Sequence, residues 1–300
     1  MTLRSLKIFV AVATYKNMTK TAEKLFISQP SISQAISEIE EEYNVVLFDR
    51  LKNGLVLTTV GNDMLKYAKA ILSQYDELES VLKSDSLNPR IRLGASSTAG
   101  ATIIKQIIRE LMDLNKKLDY TTFVGNTSSV EEKILSNEID IGIVEGDISF
   151  SDIKSEFLAN DKLVLICSPE HRFYGKTSIS IFDLANEPLI LREESSGTRK
   201  QLTDNFKALH ITPNIVWSCT NNEVVISAVK ENLGVSVLSA KLCYESLSNG
   251  TLWSCNIRDV NLARTFKLVY HKDKYFSKTM KDFVTLVKKY SPRWLHSVIY

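Results

Sequence analysis

Histidine and cysteine are scarce in this 300-residue sequence, and the way they are scattered excludes most catalytic and metal chemistry. The four cysteines, Cys167, Cys219, Cys243 and Cys255, stand far apart, and no two form a C-x-x-C pair, so no metal site is expected. Isolated thiols in a long chain suit a reducing cytoplasm, which is the expected location. The four histidines, His171, His210, His271 and His296, lie in no G-x-S-x-G or H-E-x-x-H setting, and a hydrolase needs a nucleophile with a base and an orienting acid. There is no P-loop and no dinucleotide fingerprint, so no cofactor is expected. Glu193 and Glu194 are adjacent, and sequence neighbours point apart, which makes them a poor acid/base pair. The chain therefore does not read as an enzyme. It also lacks an excess of either charge: 37 basic residues face 35 acidic ones, without the basic footprint common in nucleic-acid binders. Long apolar runs are missing too. The patch from Ile8 to Ala13 is too short to span a bilayer and no small-residue cleavage site follows it, so neither a membrane segment nor an export signal is expected.

What is present is a globular composition, 44% hydrophobic and 24% charged, long enough for two domains of roughly 150 residues. Three regions separate. Residues 1–58 hold short helical patterns ending in a hairpin signal. Residues 59–89 read as one long helix, and Asn88-Pro89 ends it, since a residue before proline disfavours helix. From residue 90 onward short apolar strands alternate with amphipathic helices, an α/β pattern. Within the long helix Met64, Ala68, Ile71, Tyr75, Leu78 and Leu82 follow a 4-3-4-3-4 spacing, an apolar seam over nearly three heptads. Thr58 or Thr59 can cap its start. The seam predicts a dimerising helix; the alternative is a helix lying on its own domain.

In the first region Thr19 is a candidate cap for a helix through Ala22 and Leu25, Phe26-Ile27 makes a turn, and Ser28 caps a second helix with Pro30 in its first turn. Ile32, Ala35, Ile36 and Ile39 share one face at helical spacing. The opposite face keeps Gln29, Ser31, Ser33, Gln34 and Ser37, short uncharged side chains that suit hydrogen bonding to base edges in the major groove of DNA. Two apolar strands then flank Asn53-Gly54, a strong hairpin signal, with Arg50 and Lys52 near the tip. A basic hairpin beside a helix-turn-helix is a wing, placed to reach phosphates or a minor groove.

Here the sequence resembles a family. Leu3, Phe9, Thr19, Ala22 and Leu25, then Ser28-Gln-Pro-Ser-Ile-Ser33, Leu47-Phe48-x-Arg50 and Leu57-Thr58 look like a LysR-type transcriptional regulator. The resemblance covers the whole chain. It implies a winged helix-turn-helix that meets double-stranded promoter DNA through Thr19, Ser28, Gln29, Pro30, Ser31, Ser33, Gln34, Ser37, Arg50 and Lys52, a linker helix, and a two-lobed effector domain similar to periplasmic binding proteins. Lobe I would be residues 91–161 with 265–300, and lobe II residues 162–264. It further implies a homodimer assembling into a homotetramer, with RNA polymerase as a further partner. Gln34 departs from the family, which often has arginine there; glutamine reads adenine where arginine prefers guanine.

The last region places hydroxyl-rich loops after strands. Ser96, Ser97 and Thr98 follow one strand, Asn126, Thr127 and Ser128 follow another, and a third ends at Glu145. Ligands in open α/β sheets sit beyond the carboxyl ends of strands, so these residues should meet. The stretch Leu191-Arg-Glu-Glu-Ser-Ser-Gly-Thr-Arg199 adds Ser195, Ser196, Thr198 and Arg199 at a helix start, a cradle for a small oxyanion. Together, I-G-x-x-E-G and R-E-x-x-S-G-T-R are similar to the LysR subgroup of sulfur-assimilation and carbon-fixation regulators. The effector this implies is a small anion such as sulfite or sulfate. An organic acid or a sugar phosphate is the alternative, and a plain solute-binding protein is the rival of another class.

Overall fold

A computed structural model of the chain describes residues 1–51, 54–82 and 89–296. They fall into two compact units, one holding the N-terminal helices and hairpin, the other the α/β elements. Lys52, Asn53 and Asn88, named above for the wing tip and the domain boundary, lie outside the described residues.

The first unit is built from helices α1 (Leu3–Tyr15), α2 (Met18–Leu25) and α3 (Gln29–Tyr43), strands β1 (Phe48–Leu51) and β2 (Gly54–Leu57), and helix α4 (Thr59–Leu82). Asn17, not Thr19, caps α2: its side chain accepts from the Lys20 amide, and Thr19 lies exposed inside the helix. Either residue type can cap, and Asn17 has the extended backbone that a cap requires. Phe26 then turns the chain in a left-handed conformation, and Ser28 caps α3 as expected. Ile32, Ala35, Ile36 and Ile39 are buried against Leu6, Phe9 and Val12 of α1. The hairpin is antiparallel with Leu51 opposite Gly54, so Gly54 opens β2.

Helix α4 starts under a Thr58 cap, whose hydroxyl accepts from the Gly61 amide at 3.0 Å. Gly61 is needed there, because an added Cβ would lie 2.2 Å from the Leu47 carbonyl oxygen. The predicted dimer seam splits into two faces. Ala68 is buried in the core of its own unit, with Met64, Leu65 and Leu72 packed beside it. Tyr75 sits under the Lys7 ammonium of α1, 5.4 Å from the ring centroid. Ile71, Leu78 and Leu82 stay exposed, and Val60 and Tyr67 join them. A strict heptad seam thus overstated one face: half of it is the contact between α4 and α1.

The second unit runs β3 (Arg90–Ser96), α5 (Ser97–Ala99), a π-helical turn (Gly100–Ile104), α6 (Lys105–Leu114), β4 (Asp119–Gly125), α7 (Thr127–Leu135), β5 (Ile141–Glu145) and β6 (Ile153–Cys167). It continues with β7 (Ser178–Ser180), α8 (Ile181–Ala185), β8 (Leu189–Arg192), α9 (Gly197–Ala208), β9 (Ile215–Cys219), α10 (Asn222–Lys230), β10 (Ser236–Ser239) and α11 (Ala240–Ser248). Then come β11 (Trp253–Arg258), β12 (Ala263–His271) and α12 (Lys278–His296). The main sheet has the order β4-β3-β5-β12-β6-β11-β7, with β10 also paired to β6. The 15-residue β6 passes from one lobe to the other: its first part pairs with β12, its last part with β10 and β11. A parallel pair, β8 and β9, joins the second lobe through a bridge from Leu189 to Val235.

Each lobe has its own core. Ile91, Leu93, Ile107, Leu111, Phe266 and Phe283 fill the first, and Leu165, Phe173, Leu189, Leu202, Phe206 and Val237 the second. The strand–helix alternation read from the sequence is therefore present, with helices starting earlier than expected. Ser96 caps α5 and Asn126 accepts from the Ser129 amide at 2.8 Å, which places Ser97, Thr98, Thr127 and Ser128 in first helical turns rather than in loops.

Candidate effector cleft and DNA-reading face

Strands β3 and β5 lie side by side and parallel, so the residues at their carboxyl ends meet. The Ser96 hydroxyl donates to the Glu145 carboxylate, and Thr98 donates to its other oxygen at 3.0 Å. Thr127 donates to the Glu145 carbonyl at 2.9 Å. The second lobe enters through α9. Thr198, in its first turn, accepts from Arg264 at 2.9 Å.

Arg264 was not singled out in the sequence, yet it organises the site. It leaves β12 where the two lobes join. Its guanidinium reaches Thr98 of lobe I at 3.2 Å, Thr198 of lobe II, and Glu145 at 3.4 Å, and its Nε bonds Asp161 at 2.7 Å. A buried guanidinium is tolerable when its donors are met this completely. Arg192 is the second buried cation. It donates to Glu193, to Asn222 at the start of α10, and to Ser97 across the cleft at 3.5 Å.

Arg199, expected in the anion cradle, is turned away from it. Its guanidinium bonds the Arg192 carbonyl at 3.0 Å, Ser218 at 2.9 Å and Glu194 at 3.3 Å, which ties α9 to β8 and β9. It holds Arg192 in place and leaves the cleft to Arg192 and Arg264. Ser196 is buried at the start of α9 and makes no side-chain cap, whereas Ser195 and Ser128 are exposed and Asn126 serves as a cap. The structure thus brings together Ser96, Ser97, Thr98, Glu145 and Thr198. The cations carry partners already: Glu145 and Asp161 for Arg264, and Glu193 for Arg192. An incoming anion would compete with Glu145 for the Arg264 guanidinium.

In the N-terminal unit, Gln29, Gln34 and Ser37 are exposed along α3, with Ser31 and Ser33 half-buried. Ser28 and Ser31 hydroxyls meet at 2.8 Å, and Gln34 donates to Glu38 at 2.9 Å, one helical turn on. Arg50 lies on β1 opposite Leu55. This is a helix face of small polar groups whose buried side holds it rigid, the arrangement of a groove-reading helix.

Comparison with known proteins decides the class. Residues 3–62 match the bacterial regulatory helix-turn-helix protein of the lysR family, and residues 84–292 match the LysR substrate binding domain. The chain belongs to the LysR family. It is 29% identical over 285 residues to the transcriptional regulator CysL of Bacillus subtilis, covering 94% of this chain and 95% of that one. The RuBisCO operon transcriptional regulator of Allochromatium vinosum is 31% identical over 280 residues, covering 92% and 91%. Among solved structures, full-length CbnR complexed with its target DNA superposes with a TM-score of 0.65 at 18% identity, covering 96% and 99%. The regulatory domain of Synechocystis CcmR in complex with 2-PG gives 0.63 at 23% identity, over 68% of this chain and 98% of that one. This LysR-type protein is a DNA-binding transcriptional regulator with an effector-binding domain, not an enzyme. Among the described residues no helix is long and apolar enough to cross a membrane.

Proposed function

We propose that the regulator senses a small oxyanion in the cleft between its lobes, with a sulfur oxyanion such as sulfite or sulfate as the effector. One observation carries this reading: two buried guanidiniums, Arg192 and Arg264, converge with the hydroxyls of Ser97, Thr98 and Thr198, which belong to both lobes. An anion there makes contacts to both sides at once, so it favours one lobe arrangement over another, which a ligand must do to act as a signal. The resemblance of the cleft sequences to sulfur-assimilation regulators supports the choice of anion. The polar face of α3, with the wing, would read the operator, and exposed Ile71, Leu78 and Leu82 of α4 would pair two chains. The exposed edge strands β4 and β9, with Tyr120, Val124, Val216 and Trp217, are candidates for joining dimers into a tetramer.

The experiment is a thermal-stability panel of sulfite, sulfate, thiosulfate, phosphate, small organic acids and a sugar phosphate on the full chain, repeated with Arg192→Gln. A ligand of the native state raises the melting temperature with concentration. A sulfur oxyanion that does so, and fails in the variant, supports the reading. A second reading, an organic acid or sugar phosphate, draws on CcmR and its bound 2-PG. It wins if only such compounds raise the melting temperature.

A further inference from the structure

The hinge has a second face. There, a cavity of 640 Å³ opens between residues 160–163 of β6, the start of α11 and the connection from β11 to β12. That volume falls in the range of small-molecule sites. Its lining divides chemically. Leu163, Ile257, Val260 and Leu262 contribute apolar groups, while Lys162 and Lys241 bring two cations and Asn160, Asn256 and Asn261 three amides. Asp161 also lines it, and its carboxylate accepts from Ser239 at 2.7 Å on one oxygen and from Arg264 at 2.7 Å on the other.

We propose that this cavity is a second ligand site of the regulator, and that it takes a small carboxylic acid with an apolar body. The carboxylate would meet Lys241 and the asparagine amides, and the hydrocarbon would lie on Leu163, Ile257 and Leu262. Lys241 is suited to this. Burial pulls its ammonium below the ordinary lysine range and the nearby Asp161 charge pushes the other way, so a ligand carboxylate adds a partner to a partly desolvated cation.

The site is wired to the effector cleft by two short routes. The Asp161 carboxylate holds Arg264, whose remaining nitrogens hold Thr98 and Thr198. In addition, Gln201 of α9 donates to the carbonyls of Asn261 at 3.4 Å and Ala263 at 3.0 Å, so the cavity wall is tied to the helix whose first turn carries Thr198. Occupancy of the cavity fixes the side of the hinge from which Arg264 reaches the cleft. Binding in the cavity stands independently of which anion the cleft senses; the coupling rests on the cleft being the effector site.

The test uses the full chain with isovalerate as probe, read by melting temperature and by isothermal titration. Isovalerate raises the melting temperature of the wild type and of Thr198→Val, which alters the cleft, and the rise is lost in Lys241→Gln and in the cavity-filling Ile257→Trp. Coupling appears as a change of about fivefold or more in the affinity of the cleft for whichever panel anion binds there when isovalerate saturates. Absence of any response in the wild type, or an equal response in Lys241→Gln, overturns the site. Loss of the response in Thr198→Val alone assigns isovalerate to the cleft and overturns it as well. Binding without a change in anion affinity overturns the coupling and leaves the site.

Discussion

Arg264 and Asp161 form a buried ion pair, Nε to Oδ2 at 2.7 Å, at the point where two strands carry the chain between the lobes of the effector domain. Asp161 is fully buried and Arg264 nearly so. Ser239 supplies the second hydrogen bond to the carboxylate, and Thr98, Thr198 and Glu145 occupy the rest of the guanidinium. Each partner is therefore satisfied only while the other is present.

Arg264→Met should accordingly cost about 3–5 kcal/mol of stability, because it strands the Asp161 charge in the interior. The double variant Arg264→Met with Asp161→Leu should recover most of that loss. Urea denaturation of the four proteins of this cycle measures the difference; a single variant with wild-type stability would show that water reaches Asp161.

Glu145 occupies the hydroxyls and the guanidinium that an anionic effector needs. Glu145→Gln keeps a hydrogen-bond acceptor for Ser96 or Thr98 and removes the competing charge. Anion affinity should rise by about tenfold, roughly 1.4 kcal/mol, a modest share of a charge-assisted contact. Isothermal titration of wild type and variant decides; unchanged or weaker binding would place the anion away from Arg264.

Asp140 gives a pH dependence with a definite sign. Burial pushes its carboxyl up, but the bond from Arg92 and the Lys274 ammonium outweigh burial and hold it below the ordinary carboxylate range. A depressed folded-state value means stability that is present above the unfolded value, near pH 4, and lost as pH falls through the folded value. Asp140→Asn should therefore be destabilised by about 1–3 kcal/mol at pH 7. The gap from wild type should close in acid, as measured by denaturation at several pH values.

Gln34→Arg should move base preference at one operator position from adenine toward guanine, worth about 1–3 kcal/mol of discrimination. Affinity for random duplex should rise only modestly, through the added charge. Selection of operators from a randomised pool by both proteins reads this directly. Identical selected sequences would mean that Gln34, which is bonded to Glu38, does not face a base.

Thiol chemistry should single out Cys219. Burial pushes Cys167 and Cys243 up to about 12 and Cys255 to about 11, and all three side chains are enclosed. Cys219 is half-exposed, though burial raises it too. Labelling of the native protein with an alkylating reagent should modify one cysteine first, and peptide mapping should find Cys219.

The sequence made some features legible and others not, for physical reasons. The face of Ile32, Ala35, Ile36 and Ile39 could be read because helical periodicity is local. So could the meeting of Ser96, Thr98 and Glu145, because parallel strands end at a shared edge. Arg264 left no local mark: it sits in an ordinary strand sequence and acts on Thr198 and Thr98, which lie 66 and 166 residues away. Arg199 misled because it follows the helix start so closely. Each helical residue rotates by roughly 100°, so Thr198 and Arg199 face different ways. Ala68 misled because apolar spacing on α4 serves its own unit as well as any partner.

The π-helical turn at Gly100–Ile104 carries a consequence for length. It stands between the hydroxyls of Ser97 and Thr98 and the anchored residues Ile107 and Leu111, and such a turn holds one residue more than an α-helix would. Removing a single residue there, such as Thr102, would let the helix run on regularly. Ile107 and Leu111 would keep their places in the core and Ser97 and Thr98 would still face Glu145 and Arg264, because the residue removed is the one that the wide turn had absorbed. A one-residue deletion at this point would thus spare the cleft hydroxyls and the folded lobe alike, whereas the same deletion inside the regular part of α6 would set the two out of phase by roughly 100°.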